Sequence, residues 1–135
     1  MSTATSLPQS ERIGGSYRDP SGYVFTRGGE VYRAIDDQCF QTLETLYARG
    51  LLRKLIEQRL LVPTHVVEDR HLAAVLRTEH PGFGHFLRHE RIFPVTYPYE
   101  WSSTMLGDAA LLTLDLEMAL IDQGFSLKDA TAFNV

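Results

Sequence analysis

Two short, mostly apolar segments on either side of a glycine pair predict a β-hairpin near the start of the chain. Residues 23–26 and 31–35 flank Gly28-Gly29, a pair that supplies positive φ without steric cost. A two-residue turn at these glycines sets Phe25 opposite Tyr32. The more apolar face of the hairpin is predicted to be buried, and it comprises Tyr23, Phe25, Tyr32 and Ala34.

Helical spacing begins after the hairpin. Apolar residues recur at steps of three and four from residue 40 to residue 56, and Asp36-Asp37 is a suitable N-terminal cap. We expect an amphipathic helical segment that is kinked or divided at Gly50. It must end by Leu61 or Val62, because Pro63 lacks a backbone donor and disfavours helix in the residue before it.

A second helical pattern follows Trp101 and is predicted to form a long helix capped by Ser102 or Ser103. Gly124, followed by the apolar Phe125, is typical of a left-handed helix stop in which Phe125 contacts Leu120. The stop returns residues 126–134 across the domain. The stripe expected to face the core comprises Met105, Leu106, Ala109, Leu112, Leu116, Ala119 and Leu120.

The remaining segments complete an α+β prediction. Residues 1–20 are rich in Ser, Thr, Gly and Pro and are interpreted as a flexible leader, with the folded part beginning near Ser21. Residues 62–67 are expected to be extended, and residues 72–76 to form a short helix or strand. Residues 92–99 alternate apolar and aromatic residues but contain two prolines, which predicts a short edge strand that leads into a connector.

Composition limits the classes of function. The 135 residues suit one compact domain, and the net charge of −4 without a basic cluster argues against nucleic acid or an anionic membrane as partner. No apolar run reaches the length of a membrane span, and the start does not resemble a secretion signal. The single Cys39 excludes an internal disulfide, suits a reducing cytoplasm and is expected to be a packed thiol.

The tail after the long helix carries the main candidate site. Asp129 precedes Asn134 by five residues. In kinase-type sites this spacing lets the Asp carboxylate accept a hydrogen bond from the hydroxyl group of the phosphate-accepting substrate. The Asn amide oxygen meanwhile holds Mg²⁺ against the phosphates. The simpler interpretation is that both residues close turns through hydrogen bonds to their own backbone.

Three segments carry a resemblance to a known family: residues 97–102 (YPYEWS), 108–115 (DAALLTLD) and 127–135 (LKDATAFNV). They resemble the N-terminal region of longer bacterial class I SAM-dependent methyltransferases, including nodulation-type members, over about residues 19–135. That region is itself similar to part of an aminoglycoside-phosphotransferase or protein-kinase-like domain. The resemblance implies a partial kinase-like module over 21–135, in which 21–100 are small-lobe-like with a connector and 101–135 form the long helix and a catalytic-loop-like tail.

Departures from the kinase pattern weaken any catalytic role. Leu127 stands where a kinase loop usually has His, no glycine-rich loop lies between the early strands, and neither Lys54 nor Lys128 lies on a predicted third strand. Gly82-Phe83-Gly84 follows His80-Pro81 rather than an apolar strand, so it is not a SAM-binding turn. SAM would bind only through a missing or separate domain.

Two classes of function follow from the resemblance. The first is an accessory or truncated module, inactive alone, that binds a methyltransferase domain or self-associates through exposed apolar surface. The second is a transferase: a small-molecule phosphotransferase that uses Asp129 and Asn134 with Mg²⁺ and ATP, or a fragment of an active methyltransferase polypeptide. In the first class Asp129 and Asn134 form a vestigial or incomplete catalytic site.

Two other clusters invite a functional interpretation. Tyr97, Tyr99 and Glu100-Trp101 are compatible with a nucleotide or partner cleft, although core and helix entry is the favoured interpretation. His80, His85 and His89 suggest a metal site, with His85 and His89 on one face if they are helical. Because few carboxylates and no cysteine accompany them, we expect solvated loop histidines instead.

Overall fold

The computed structural model describes residues 8–14 and 19–134. They divide into two compact units. The first runs up to Ile56 and resumes at Leu61–Arg91, and the second contains Glu57–Leu60 and the residues from Ile92 onward. Strands and helices are both present, so the α+β prediction is confirmed. The predicted internal division after residue 100 falls within the second unit.

An antiparallel sheet forms the first unit. Its strands, among the described residues, are β1 (Ser10–Arg12), β2 (Gly22–Arg27), β3 (Glu30–Ile35), β4 (Thr64–Val66) and β5 (His85–His89). They lie in the order β1-β2-β3-β5-β4. The β2–β3 hairpin has the predicted register, with Phe25 opposite Tyr32, and Gly28 and Gly29 adopt φ of 58° and 83°.

One face of this sheet carries an aromatic core. Phe25, Tyr32, Ala34 and Phe86 cluster there with Leu76 of helix α3 (Arg70–Glu79). Phe25 stacks on Tyr32 with ring centroids 5.5 Å apart, and it meets Phe86 edge-on. The face predicted from the sequence is therefore the buried one, with Tyr23 half-buried at its edge.

The predicted divided helix is confirmed as α1 (Asp37–Ala48) and α2 (Leu51–Glu57). Asp36 caps α1 by accepting a hydrogen bond from the Cys39 amide at 2.7 Å. Gly50 adopts φ of 68° at the break, a conformation that glycine takes without strain. Three leucines of α2, Leu51, Leu52 and Leu55, are buried.

Two predictions about the strands are wrong. Ser10–Arg12 pairs with β2, so ordered structure begins before Ser21 and the leader assignment fails at these residues. For residues 1–7 and 15–18 the leader prediction lies outside the described residues. Among the described residues, 92–97 form no strand, so the predicted edge strand is absent there. The strand instead lies earlier, at His85–His89.

The second unit is built on α4 (Ser103–Ile121), which the sequence predicted. Ser102 caps it by accepting a hydrogen bond from the Met105 amide at 3.3 Å. At its end the Phe125 amide donates to the Leu120 carbonyl at 3.0 Å, and Gly124 adopts φ of 80°. This is the hydrogen-bond pattern of the predicted left-handed stop. No helix in the described part of the chain has the length and apolarity needed to cross a membrane.

Candidate functional site

Glu117 ties the tail to helix α4. Its carboxylate accepts hydrogen bonds from the Leu127 amide and the Ser126 hydroxyl, each at 2.7 Å. Both hydrogen bonds lower the pKa of Glu117 because they stabilise the ionised carboxylate. The bond from the Leu127 amide has the larger effect, and the bond from the Ser126 hydroxyl the smaller. The tail therefore leaves the helix in a defined direction, two residues before Asp129.

The structure brings Asp129 and Asn134 together in one turn. The Asn134 side-chain nitrogen donates to the Asp129 carbonyl at 2.6 Å, and the Thr131 amide donates to the same carbonyl at 2.9 Å. A 3₁₀ turn, Ala132–Asn134, closes the loop. Both side chains are exposed.

Asp129 has a left-handed backbone with φ of 56°. Aspartate tolerates this region better than most residues, but it remains uncommon outside glycine. The bonds from Thr131 and Asn134 hold the turn in this conformation. Because Asn134 binds the backbone through its nitrogen, its amide oxygen lies on the other side of the amide group from the Asp129 carbonyl.

This turn contains two oxygen ligands of the kind that Mg²⁺ prefers, one carboxylate and one amide. Within the described residues, no group of three or more His, Cys, Asp or Glu side chains is arranged to hold a metal ion. The hydrogen bonds also match the simpler interpretation, in which Asx residues close a turn on themselves. The geometry thus fits a structural turn, and the two side chains supply oxygen ligands of the kind that Mg²⁺ prefers without forming a grouped metal site.

The lysines lie away from the sheet strands. Lys54 is exposed on α2, and Lys128 immediately precedes Asp129 in the tail. Strand β3 carries Arg33 instead, whose guanidinium lies 3.7 Å from the Asp19 carboxylate. Strand β3 therefore supplies no lysine ammonium group that could bind the α- and β-phosphates of ATP.

The aromatic connector forms an exposed surface rather than core, which corrects the favoured interpretation of Tyr97 and Tyr99. Their rings stack with centroids 5.5 Å apart and planes 5° apart, and Tyr99 is 77% exposed. The Glu100 carboxylate accepts from the Tyr97 amide at 2.9 Å, and the Trp101 indole donates to the Thr96 hydroxyl at 2.9 Å. The segment thus satisfies polar groups within itself, while its two tyrosine rings remain exposed.

Trp101 lines a groove of about 480 Å³ beside the first turns of α4. Its walls are mostly apolar, and Asp108 supplies a carboxylate. The stacked tyrosines are close to it in sequence, so an exposed aromatic surface and a groove occur in one short segment. The flat rings suit stacking on a base or another ring. The other lining residues are Thr96, Met105, Ala109 and Leu112.

The three histidines are not solvated loop residues, and the expectation for them is wrong. His80 is buried, and its Nδ1 lies 2.7 Å from the Tyr23 hydroxyl. His85 and His89 lie on strand β5 and are half-buried, not helical. His85 stacks on Phe40 with centroids 3.8 Å apart. Each histidine thus has its own partners, which sequence spacing did not indicate because those partners are distant in the chain.

Burial controls the protonation of two of them. Desolvation lowers the pKa of His80, although the neighbouring Glu79 opposes the effect. Desolvation and the nearby Arg33 lower the pKa of His89 to about 4. Within the described part of the chain, Nε2 of His80 has no hydrogen-bond partner. Both rings are therefore neutral at pH 7.

Cys39 is half-buried at the start of α1, as expected for a packed thiol. Its backbone amide is bound by the cap residue Asp36. Gly82-Phe83-Gly84 forms the loop between α3 and β5, and Phe83 packs edge-on against Tyr23. That loop serves the aromatic core of the first unit.

Similarity to a known protein adds to this geometry. The chain is 37% identical over 128 residues to the nodulation protein NoeA of Rhizobium meliloti (strain 1021). The match covers 95% of this chain but 26% of the relative, so the chain spans about a quarter of the length of the curated relative that it matches. No family model matches the chain, and no solved structure matches it.

Proposed function

We propose that this chain is an accessory, kinase-like module that acts together with a SAM-dependent methyltransferase and has no catalytic turnover alone. The observation that carries the proposal is the Asp129–Asn134 turn. It follows a long helix with the spacing of a phosphotransferase loop, yet both lysines of the chain lie outside the sheet strands. Asp129 and Asn134 are then a vestigial or incomplete site.

The order of elements supports the kinase-like part of the proposal. An antiparallel sheet in the first unit is followed by an aromatic connector, a long helix and the Asp129 turn in the second. This is the order that the resemblance implies for small lobe, connector, large-lobe helix and catalytic loop. The single half-buried thiol fits a protein of the reducing cytoplasm, where we place it.

The association with a methyltransferase rests on the family resemblance. NoeA, the nodulation protein that the chain matches, extends well beyond the matched region. Within the chain, Gly82-Phe83-Gly84 lies between α3 and β5 and not after an apolar strand, so it does not form a SAM-binding turn. SAM binding is therefore assigned to a separate domain, and this module to binding or scaffolding.

Calorimetric titration tests the catalytic part. The chain is titrated with Mg²⁺ and ATP in one experiment and with SAM in another. The first should show no phosphoryl transfer, and the second should show no SAM binding. A phosphoryl transfer activity that is lost in Asp129→Asn but retained in Glu90→Gln, an exposed acid of the first unit, would instead identify a phosphotransferase. SAM binding by the chain itself would also overturn the proposal.

Sedimentation tests the association. The part of the Rhizobium relative beyond the matched quarter, produced as a separate chain, should form a complex with this chain. If the two sediment independently over the micromolar range, the accessory role is wrong.

The phosphotransferase remains the second candidate because of one observation. Asp129 is held in a left-handed conformation by the Asn134 amide, and strained polar residues recur at active sites. In that candidate the Asp129 carboxylate positions the acceptor hydroxyl and Asn134 binds Mg²⁺ through its amide oxygen, with ATP as donor. The Asp129→Asn comparison described above separates the two candidates.

A further inference from the structure

Helix α4 carries a second apolar stripe that the structure leaves exposed. Leu111, Leu114, Met118 and Ile121 follow one another at steps of three, four and three residues, and they are 61%, 58%, 67% and 57% exposed. At about 100° per residue, they occupy an arc of about 80° on the helix. This arc lies opposite the two buried residues of α4, Ala109 and Leu120. We call these four residues the exposed seam.

An exposed seam of this size is unusual for a helix of a folded domain. Isolated surface leucines are common, but contiguous apolar patches on a monomer mark interaction sites. The steps of three and four are those of the core positions of a two-helix coiled coil. The spacing therefore fits another helix lying along the seam.

An acidic edge runs beside the seam. Asp108, Asp115 and Asp122 stand seven residues apart, so all three lie on the same side of the seam, and all are exposed. Residues 103–122 contain no Lys or Arg. In a helix pair these positions flank the core and determine which partner is accepted.

The last residue of the acidic edge works against the stability of the helix itself. Asp122 is the C-terminal cap residue of α4. Carboxylates near a helix C-terminus interact unfavourably with the helix dipole. A local cost of this kind, at a regular spacing beside an apolar seam, indicates a role outside the stability of the fold.

We propose that the exposed seam and its acidic edge bind an amphipathic helix of a partner protein, one whose own apolar seam is flanked by Lys or Arg. This inference deepens the accessory role and rests on it. A second copy of the chain fits poorly. Antiparallel pairing of two α4 helices would bring the aspartates of the two acidic edges next to each other. Parallel pairing would instead place them next to Ala110 and Glu117 of the other helix, which supply no cation.

Two designed peptides of three heptads test the seam by itself. They share Leu and Ile at the core positions and carry either Lys or Glu at the flanking positions. Three favourable charge pairs predict about tenfold tighter binding of the Lys peptide at low salt. The preference should shrink as salt is added, because exposed charges are screened. Fluorescence anisotropy of labelled peptide measures both.

Charge reversal supplies the decisive comparison. The triple variant Asp108→Lys, Asp115→Lys, Asp122→Lys should prefer the Glu peptide. A matched triple variant with the same net charge, Glu44→Lys, Glu68→Lys, Glu90→Lys, changes exposed acids of the first unit and should keep the wild-type preference. Circular dichroism verifies that both variants fold. Asp122→Lys alone should raise the thermal stability of α4 while weakening Lys-peptide binding, a pair of opposite effects that a purely structural role would not produce.

The inference is overturned if the wild-type chain binds neither peptide, or binds both equally. It is also overturned if the chain self-associates in sedimentation and Leu114→Ser with Met118→Ser abolishes that association, because a second copy then covers the seam. Peptide binding without a complex in the two-chain sedimentation experiment would support the surface and reject the methyltransferase association. The two failures are therefore distinguishable.

Discussion

Acidification should destabilise the sheet of the first unit through His89. The ring Nδ1 lies 2.9 Å from the Thr64 hydroxyl, and that hydroxyl donates its proton to the Val62 carbonyl at 2.9 Å. The hydroxyl has one proton, so Nδ1 must be the donor in the bond to Thr64. Neutral His89 therefore joins β5 to the β4 edge, and protonation would occur at Nε2.

The direction and size of the effect follow from the pKa of His89. Burial and Arg33 lower that pKa from 6.5 to about 4. The unfolded chain thus binds a proton before the folded chain does, and stability is full above pH 6.5 and falls as the pH decreases toward 4. At about 1.4 kcal/mol per pKa unit the limit is about 3 kcal/mol, which we reduce to about 2 kcal/mol because the ring is half-buried and partly screened.

Two measurements verify this prediction. NMR titration of the His89 ring should give a pKa of about 4, and hydrogen exchange of the β5 amides, corrected for intrinsic rates, should show opening that becomes easier as the pH decreases below 6.5. His89→Asn keeps a donor near Thr64 but does not titrate, so its loss of stability should be smaller. A residual loss should remain, because the lowered pKa of His80 acts in the same direction. His71→Gln, on the exposed side of α3, is the control. Equal pH dependence in wild type and His89→Asn would refute the reasoning.

Three further predictions concern single side chains. Asp36→Ala removes the cap of α1 and should lower the free energy of unfolding by about 1 kcal/mol in urea titration, whereas an unchanged midpoint would show that the cap is dispensable. Gly22→Ala places a methyl group 2.1 Å from the Ala34 carbonyl oxygen, and overpacking against backbone should cost about 3 kcal/mol or prevent folding; a variant as stable as wild type would contradict this strand pairing. Glu117→Ala removes the acceptor that holds the tail, so the Leu127 amide should exchange faster with solvent, and equal exchange rates would mean that the tail is held by other contacts.

Local signals along the chain predicted the elements that depend on neighbouring residues. The hairpin register followed from Gly28-Gly29, the division of the first helical segment from Gly50, and the end of α4 from Gly124. Each involves a backbone conformation that glycine adopts cheaply, within a few residues of the hydrogen bonds that it permits. The Asp129–Asn134 turn belongs to the same class, because its bonds span five residues.

Long-range partners explain the incorrect predictions. Strand β1 pairs with β2, and β5 pairs with β3 and β4, which are separated from it by helices. His80 was interpreted as a solvated loop residue because the Tyr23 hydroxyl that pairs with its Nδ1 lies 57 residues away in the chain. Periodicity within a window contains no information about such partners.

The sequence by itself determined the hairpin turn, the break between α1 and α2, the two ends of α4, and that a carboxylate and an amide share one loop after α4, because short-range sterics and hydrogen bonding decide these features. Tertiary structure alone decided the sheet order, the burial of the histidines and how much of the predicted stripe of α4 is buried. Ala109 and Leu120 are buried, whereas Met105 and Leu106, which were expected to face the core, are exposed. Both stripes of α4 have helical spacing, and burial depends on what packs against each of them.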